Sequence, residues 1–167
     1  HPGKKLLFMG AEIGQFSEWN YASSLDWHLL EYPMHASLLE MVKVMHRVYK
    51  DHPALWANDC VQKGFAWVDS NDRDGSTLSF LRFGDHPEDT VLCICNFTPE
   101  VRQGYRVGVP FHCHWDEIFN TDAHEYGGSN VGNCGGFWSD GSPAHGYGAS
   151  LTLTLPPLGV VWMKPRL

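Results

Sequence analysis

The stretch at residues 4–20, KKLLFMGAEIGQFSEWN, decides how the rest of the chain is interpreted. Its continuous apolar run from Leu6 to Met9 is typical of a strand that is buried on both faces, as strands of parallel sheets are. Gly10 and Gly14 then release the backbone into a turn. The stretch therefore predicts a buried strand that leads into a loop almost at the start of the chain.

Polar and aromatic side chains crowd the loop that follows this strand. In β/α barrels the loop after the carboxyl end of a strand faces the active site, where such groups would hydrogen-bond to and stack on a polar ligand. An alternative interpretation is that the glutamates and the tryptophan only cap and pack the loop. The candidate ligand-binding residues here are Glu12, Gln15, Glu18, Trp19 and Asn20.

Length and charge restrict what the chain can be and bind. A complete eight-stranded β/α barrel takes roughly 250 residues, whereas this chain has 167, so we expect a barrel fragment with a further domain. The formal net charge of -7 disfavours nucleic acid and acidic membrane surfaces, and favours a neutral ligand. No apolar run approaches the roughly 20 residues that cross a bilayer. We therefore predict no nucleic-acid partner and no membrane partner.

The five cysteines are odd in number and lack CxxC spacing. This pattern favours free thiols in a reducing compartment, and hence a cytoplasmic location. Cys93 and Cys95 alternate along an apolar run, so we expect both to be small core residues on one face. In the series His112, Cys113 and His114, the cysteine faces away from the two histidines, and no second ligand group follows at zinc-finger spacing. We predict no metal site and no cofactor.

The apolar period changes along the chain. Apolar residues recur at helical spacing from Pro33 to Tyr49, and Pro53 stops the helix. From about Gly64 onward the period is alternating, which predicts an antiparallel β domain in which the leucines of the last long run point inward. The stretch at 127–148 has no clean period and is predicted to be a long loop. The predicted strands are 65–69, 77–83, 91–97, 105–109, 115–119, 150–155 and 160–164.

Catalytic signals in the residues themselves are weak. Glycoside hydrolysis needs two carboxylates about 5 to 10 Å apart, and sequence spacing cannot show whether Glu12, Glu18 or Asp26 form such a pair. The sequence contains no GxSxG elbow, no phosphate-cradling glycine loop and no HExxH helix, so nucleophilic serine, nucleotide and zinc-protease chemistry lack support.

Six blocks of sequence, in order from residue 1 to about residue 158, carry a family resemblance. Single blocks such as NFTP mean little, but the six in register are specific. Together they resemble the C-terminal part of 1,4-α-glucan (glycogen) branching enzymes of the α-amylase superfamily. The blocks are HPGKKLLFMGAEIGQFSEWN, SSLDWHLL, NFTP, GYRVGVP, NTDAHEYGGSNVGN and SLTLTLPPL.

The resemblance implies a mainly β chain with one long helix. Residues 1–55 would be the last strand, loop and helix of a (β/α)8 barrel, and residues 56–167 an antiparallel β-sandwich C-terminal domain. The parent enzymes transfer an α-1,4-glucan segment to a 6-hydroxyl and so form the α-1,6 branches of glycogen, through a covalent glycosyl-enzyme intermediate. The family's catalytic carboxylates lie on earlier barrel strands. This chain is therefore expected to carry no catalytic residue and to be inactive by itself.

The resemblance also implies roles for the opening loop. Its five candidate residues match the loop after the eighth barrel strand, which forms a wall of the active-site cleft, and Trp27 joins them near the barrel mouth as a substrate-binding residue. The sequence departs from the family at Ile13, where Phe is usual, and at Tyr147 with Gly148, where HGR is common. The first departure is a modest packing change. The second removes a cation and leaves open whether the loop that contains Tyr147 contacts glucan.

The remaining tryptophans receive different predictions. Trp115 and Trp162 lie in alternating strands and are predicted to be buried. Trp67 and Trp138 are weaker candidates for surface glucan binding, because an indole stacks on the apolar face of a sugar ring.

Three functions remain open at this point: a branching-enzyme portion that is inactive alone, a glucan-binding β module, and a structural domain that stabilises the barrel. The second and third could equally belong to another α-amylase-superfamily enzyme. The implied partners are α-1,4-glucan or glycogen and the upstream barrel portion of the same enzyme. A severed barrel strand would expose apolar surface, so the isolated chain is expected to be marginally stable or prone to aggregation.

Overall fold

The computed structural model describes residues 3–167. One long helix, α1 (Pro33–Asp51), precedes eight strands, and short 3-10 turns connect the early elements. The mainly β composition with a single long helix confirms the sequence prediction. The strands are β1 (Phe65–Asp69), β2 (Thr77–Phe83), β3 (Thr90–Asn96), β4 (Arg102–Val109), β5 (His114–Asn120), β6 (Gly136–Trp138), β7 (Ala149–Leu155) and β8 (Val160–Arg166).

The strands form two antiparallel sheets that enclose the main core. The larger sheet has the order β1-β2-β3-β8-β5-β6, and β4 pairs with β7 in the smaller one. Alternation places Leu151, Leu153 and Leu155 inward, and all three are buried as predicted. Trp115 is fully buried in the same core. Apolar faces of both sheets thus meet as in a β-sandwich.

Helix α1 begins at the predicted proline, which occupies its first position. It packs against the 3-10 turns that precede it and against the 3-10 turn His124–Tyr126 in the β-rich half. Its C-terminal neighbour is His52, and Pro53 then begins another short 3-10 turn. The helix therefore connects the opening loop to the β domain.

The predicted buried strand from Leu6 to Met9 does not form among the described residues. The segment is irregular, and the Leu6 side chain is 86% exposed. A strand needs a neighbour to satisfy its backbone groups, and no described strand lies beside this segment. Its role as a barrel strand stays a prediction.

The prediction of an unbroken loop at 127–148 is wrong in part, because it contains β6. Gly136 explains the miss: its φ of +131° suits glycine, and a Cβ would lie 2.2 Å from the backbone oxygen of Trp115. This close approach lets β6 pair with β5 although the segment has no apolar period.

Two predictions about buried side chains have different outcomes. Trp162 is half-buried rather than buried, and packs against Phe119 with ring centroids 4.9 Å apart. Cys93 is buried and Cys95 is partly buried on the sheet face opposite the main core. All five cysteines are free thiols.

The connection between α1 and β1 contains several buried residues, among them Ala54, Leu55, Asn58 and Asp59. The division of the chain into residues 1–55 and 56–167 stays a prediction. Within residues 3–167, no helix has the length and apolar character needed to cross a membrane.

Candidate functional site

The opening loop is built on two glycines with left-handed backbone. Gly10 has φ 86° and Gly14 has φ 63°, and between them lies the 3-10 turn Ala11–Ile13. Ile13 is fully buried, and its carbonyl oxygen lies 2.6 Å from His35 Nδ1 in the first turn of α1. The loop is therefore anchored on the helix through Ile13, which leaves its polar neighbours near the surface.

Gln15 joins the two halves of the loop. Its Oε1 accepts the backbone N–H of Asp26 at 2.9 Å, and its Nε2 donates to the carbonyl of Ser17 at 3.0 Å. Both polar ends of the amide are thus used inside the protein. Because Asp26 precedes Trp27, this bridge also brings Trp27 to the loop.

The other predicted site residues lie at or near the surface. Glu12 is partly buried on the 3-10 turn, and Glu18 is exposed. Trp19 meets Phe8 edge to face, with centroids 5.8 Å apart and planes at 83°. Asn20 Oδ1 accepts the backbone N–H of Ala22 at 2.9 Å and closes an Asx turn. Trp27 begins the next 3-10 turn and is half exposed.

Gln15 thus contacts the backbone of Asp26, the residue before Trp27. Trp19 instead packs against Phe8, in the segment that precedes the loop. Glu18, Trp19, Asn20 and Trp27 present carboxylate, indole and amide groups at the surface, whereas Glu12 and Gln15 are partly buried. Such a surface can hydrogen-bond to hydroxyl groups and stack on an apolar ring face.

An apolar cleft of about 430 Å³ lies elsewhere, between the N-terminal segment, α1 and the large sheet. None of the six predicted residues lines it. Its walls are largely apolar, which does not suit a hydroxyl-rich ligand. The lining residues are Lys5, Leu6, Leu7, Met45, His46, Tyr49, Leu55, Phe80, Arg82, Cys93 and Trp162.

A buried charge cluster next to this cleft was missed by the sequence analysis. Asp59 Oδ1 accepts a hydrogen bond from Arg82 Nη2 at 2.7 Å and another from Lys5 Nζ. Gly3 N–H donates to the Asp59 carbonyl oxygen at 2.6 Å. The cluster holds the segment before the loop against the β domain. Its members lie far apart in sequence, so no local pattern connects them.

His35 was also missed by the sequence analysis. It contacts the ring of Phe16 edge to face at 5.4 Å, besides its contact with Ile13. Its position in the first turn of α1, two residues after Pro33, was the available signal.

Metal ligation finds no support in the described part of the chain, where no three histidine, cysteine, aspartate or glutamate residues gather as a metal site would require. In the His112–His114 series, Cys113 is buried. His114 lies beside Asp116, with 3.1 Å between Nδ1 and Oδ1.

Comparison with known proteins places these features in a family context. Residues 67–166 match the family described as the alpha amylase C-terminal all-beta domain. The chain is 53% identical to the 1,4-alpha-glucan branching enzyme GlgB of Aquifex aeolicus over 164 residues, which are 98% of the chain and 26% of that protein.

Two further GlgB enzymes match almost the whole chain. The enzyme of Pseudomonas putida is 50% identical and that of Cereibacter sphaeroides 52% identical, each over 99% of the chain and 22% of its own length. The match lies in the C-terminal part of these proteins. The chain therefore spans about a quarter of the length of these curated relatives.

Proposed function

The chain belongs to the family of α-amylase C-terminal all-beta domains, and from that premise we propose that it is the C-terminal portion of a 1,4-alpha-glucan branching enzyme. The observation that carries this proposal is identity of about half over nearly the whole chain with GlgB enzymes. The whole enzyme would move an α-1,4-glucan segment to a 6-hydroxyl and form an α-1,6 branch.

In this proposal the opening loop forms one wall of the glucan cleft. Glu12, Glu18 and Asn20 would offer hydrogen bonds to sugar hydroxyls, and the exposed indoles of Trp19 and Trp27 would stack on sugar rings. Gln15 has a different role, because its amide is already engaged with Ser17 and Asp26. We assign it to holding the loop in shape.

The chemistry itself would belong to carboxylates outside this chain. Retaining transfer needs a nucleophile and an acid/base about 5 Å apart, and the family resemblance assigns both to earlier barrel strands. The proposed partners are thus the glucan and the upstream barrel portion. Leu6, Leu7 and Phe8 would pack into that barrel, which accounts for their exposure in the chain described here. We further propose a cytoplasmic location.

The decisive experiment measures branching of amylose by iodine colour loss and α-1,6 linkage content. We expect activity from a protein extended upstream through a complete barrel and none from the 167-residue chain. Activity in the short chain would mean that Glu12, Glu18 or Asp26 performs chemistry. Absence of branching in the extended protein would instead favour a glucan-binding or structural domain of another α-amylase-superfamily enzyme.

The role of the loop can be tested separately with Trp19→Ala in the extended protein. Loss of the indole should weaken amylose binding and raise KM, since the aromatic surface is removed while the fold is kept. Val101→Ala is a matched control, because Val101 is also exposed but lies on the β domain. Unchanged KM with normal folding would remove Trp19 from the site.

A further inference from the structure

The outer face of the large sheet carries a row of polar and aromatic side chains at its β6 edge. Strand register places Trp138 of β6 opposite His114 of β5, and His114 opposite Arg166 of β8. Trp115, the neighbour of His114, points into the core, so alternation directs this row outward. Adjacent strands are about 4.8 Å apart, so the row extends over roughly 10 Å.

Trp138 is the most open part of this row. Its side chain is 70% exposed, and its ring meets that of His114 edge to face at 6.1 Å. Gly136 lies two residues earlier on the same face of β6 and offers no side chain. Most of the indole therefore remains accessible to solvent, beside a position of β6 that has no side chain.

The polar half of the row is arranged around Asp116. Its carboxylate accepts a two-pronged hydrogen bond from Arg166, with 3.0 Å between Arg166 Nε and Asp116 Oδ2. His114 Nδ1 is buried without a hydrogen-bond partner, although it lies 3.1 Å from Asp116 Oδ1. The guanidinium and carboxylate charges offset each other, so the row offers directional polar groups with little net charge.

We propose that Trp138, His114, Asp116 and Arg166, here called the outer row, form a binding site for α-1,4-linked glucan separate from the opening loop. The indole stacks on a sugar ring, and the carboxylate and guanidinium bind the hydroxyls of that sugar and its neighbour. A polyanion fits poorly because the chain has a net charge of -7 and Arg166 is already paired. The choice of glucan rests on the proposed function.

The outer row would hold a branched polymer while the cleft acts on one of its chains. Binding at two sites on one molecule raises the apparent affinity for a polymer, because the second contact forms at high effective concentration. A short oligosaccharide cannot use both sites at once. The outer row should therefore matter more for glycogen than for a short chain.

The test uses the full-length protein that carries this chain, with affinity electrophoresis in gels containing glycogen. Trp138→Ala should raise the apparent Kd on the order of tenfold, as removal of a central aromatic contact does, and Trp138→Phe should lie between. Asp116→Ala should also weaken binding. Phe97→Ala is the matched control, because Phe97 is a 63% exposed aromatic on the β domain outside the row, and it should bind like the wild type.

The outcomes separate this inference from the proposed function. Wild-type glycogen affinity in folded Trp138→Ala and Asp116→Ala proteins would overturn the outer row, even if the wild type branches amylose. Weakened binding of both variants supports the outer row, including in a protein that lacks branching activity. Equal weakening by Phe97→Ala would also contradict it, since any lost surface aromatic would then have the same effect. If Trp138→Ala fails to fold, Trp138→Phe and Asp116→Ala decide the matter by the same criterion.

Discussion

Asp59 is nearly inaccessible to solvent, with a side chain only 1% exposed, and its neighbours decide its charge. Burial opposes ionisation, but hydrogen bonds and charges from Lys5 and Arg82 outweigh it and lower the pKa of Asp59. Arg82 is equally inaccessible and also donates from Nε to the carbonyl of Ala54. One carboxylate thus neutralises a buried guanidinium and holds the N-terminal segment.

Replacement of Asp59 by Ala should lower the free energy of unfolding by about 3–5 kcal/mol, because it removes the carboxylate that pairs with the buried Arg82 guanidinium and with Lys5. Urea unfolding of the 167-residue chain at low concentration measures the change. Glu40→Gln is the control: it breaks the exposed Lys43–Glu40 pair on α1, and surface pairs contribute little. Equal losses in both variants would contradict the role given to Asp59.

At the scale of elements, the opening loop depends on backbone conformations that a pattern of apolar residues does not encode. Gly14 has φ +63°, and a Cβ there would lie 3.0 Å from Leu38 Cδ2 of α1. Gly104 has a similar φ of +67°, but an added Cβ would find open space among the described residues. Substitution of Gly104 would therefore test backbone strain alone, whereas substitution of Gly14 would test backbone strain together with crowding against Leu38.

Gly104→Ala should cost about 1–2 kcal/mol of stability, the penalty of a left-handed alanine. Gly14→Ala should cost more, because it adds the contact with Leu38 and presses the loop away from α1. The comparison is made by chemical denaturation of both variants. A loss at Gly14 no larger than at Gly104 would show that the loop does not pack tightly on the helix.

The strands illustrate which elements a sequence can predict. β1 and β2 have the bounds that alternation predicts. In β2 buried positions largely alternate with partly buried ones, whereas β1 has partly buried positions on either side of the exposed Trp67. β6 escaped prediction, since a short strand that begins with glycine has no period to detect. Its existence depends on close approach to β5, which is a tertiary contact.

At the scale of the whole molecule, other carboxylates also have a lowered pKa, as Asp59 does. Each of them therefore contributes to the loss of stability in acid. Thr77 and Gly75 donate to Asp72 against the opposing effect of burial, and Arg102 adds its charge, so the pKa of Asp72 is lowered. Burial opposes ionisation of Asp122, but Ser129 and Val131 donate to it and lower its pKa.

Groups with a lowered native pKa stabilise the fold above their unfolded pKa, near 3.9 for aspartate. We therefore expect these carboxylates to make their whole contribution to the free energy of unfolding at pH 6. This contribution should fall as the pH drops below about 4 toward their lowered pKa values in the folded protein. Asp72→Asn should reduce the stability difference between pH 6 and pH 3, as measured by thermal unfolding at each pH. A variant with an undiminished difference would exclude Asp72 from the acid response.

The exposed N-terminal segment predicts association of the isolated chain. Leu6, Leu7, Phe8 and Met9 are four consecutive exposed apolar residues, and the first two of them line the apolar cleft. We expect the 167-residue chain to associate with rising concentration in light scattering, and Leu6→Gln with Phe8→Gln to reduce this association. Val61→Gln, at an exposed apolar residue outside the segment, should have little effect. A monomeric wild type that melts cooperatively would contradict the prediction.

The sequence by itself determined the helix that begins at Pro33, most of the strands and the inward leucines of β7, because local periodicity and proline act within a few residues. It also indicated the family, through the resemblance of six blocks of sequence in register. Only the tertiary structure decided how Asp59 pairs with Lys5 and Arg82, how Gln15 joins the loop, and how Trp138 aligns with Arg166. These contacts join residues that are distant in the chain. Their geometry is set by strand register and backbone turns. Both of these become known only from the folded structure, because no local pattern of residues encodes them.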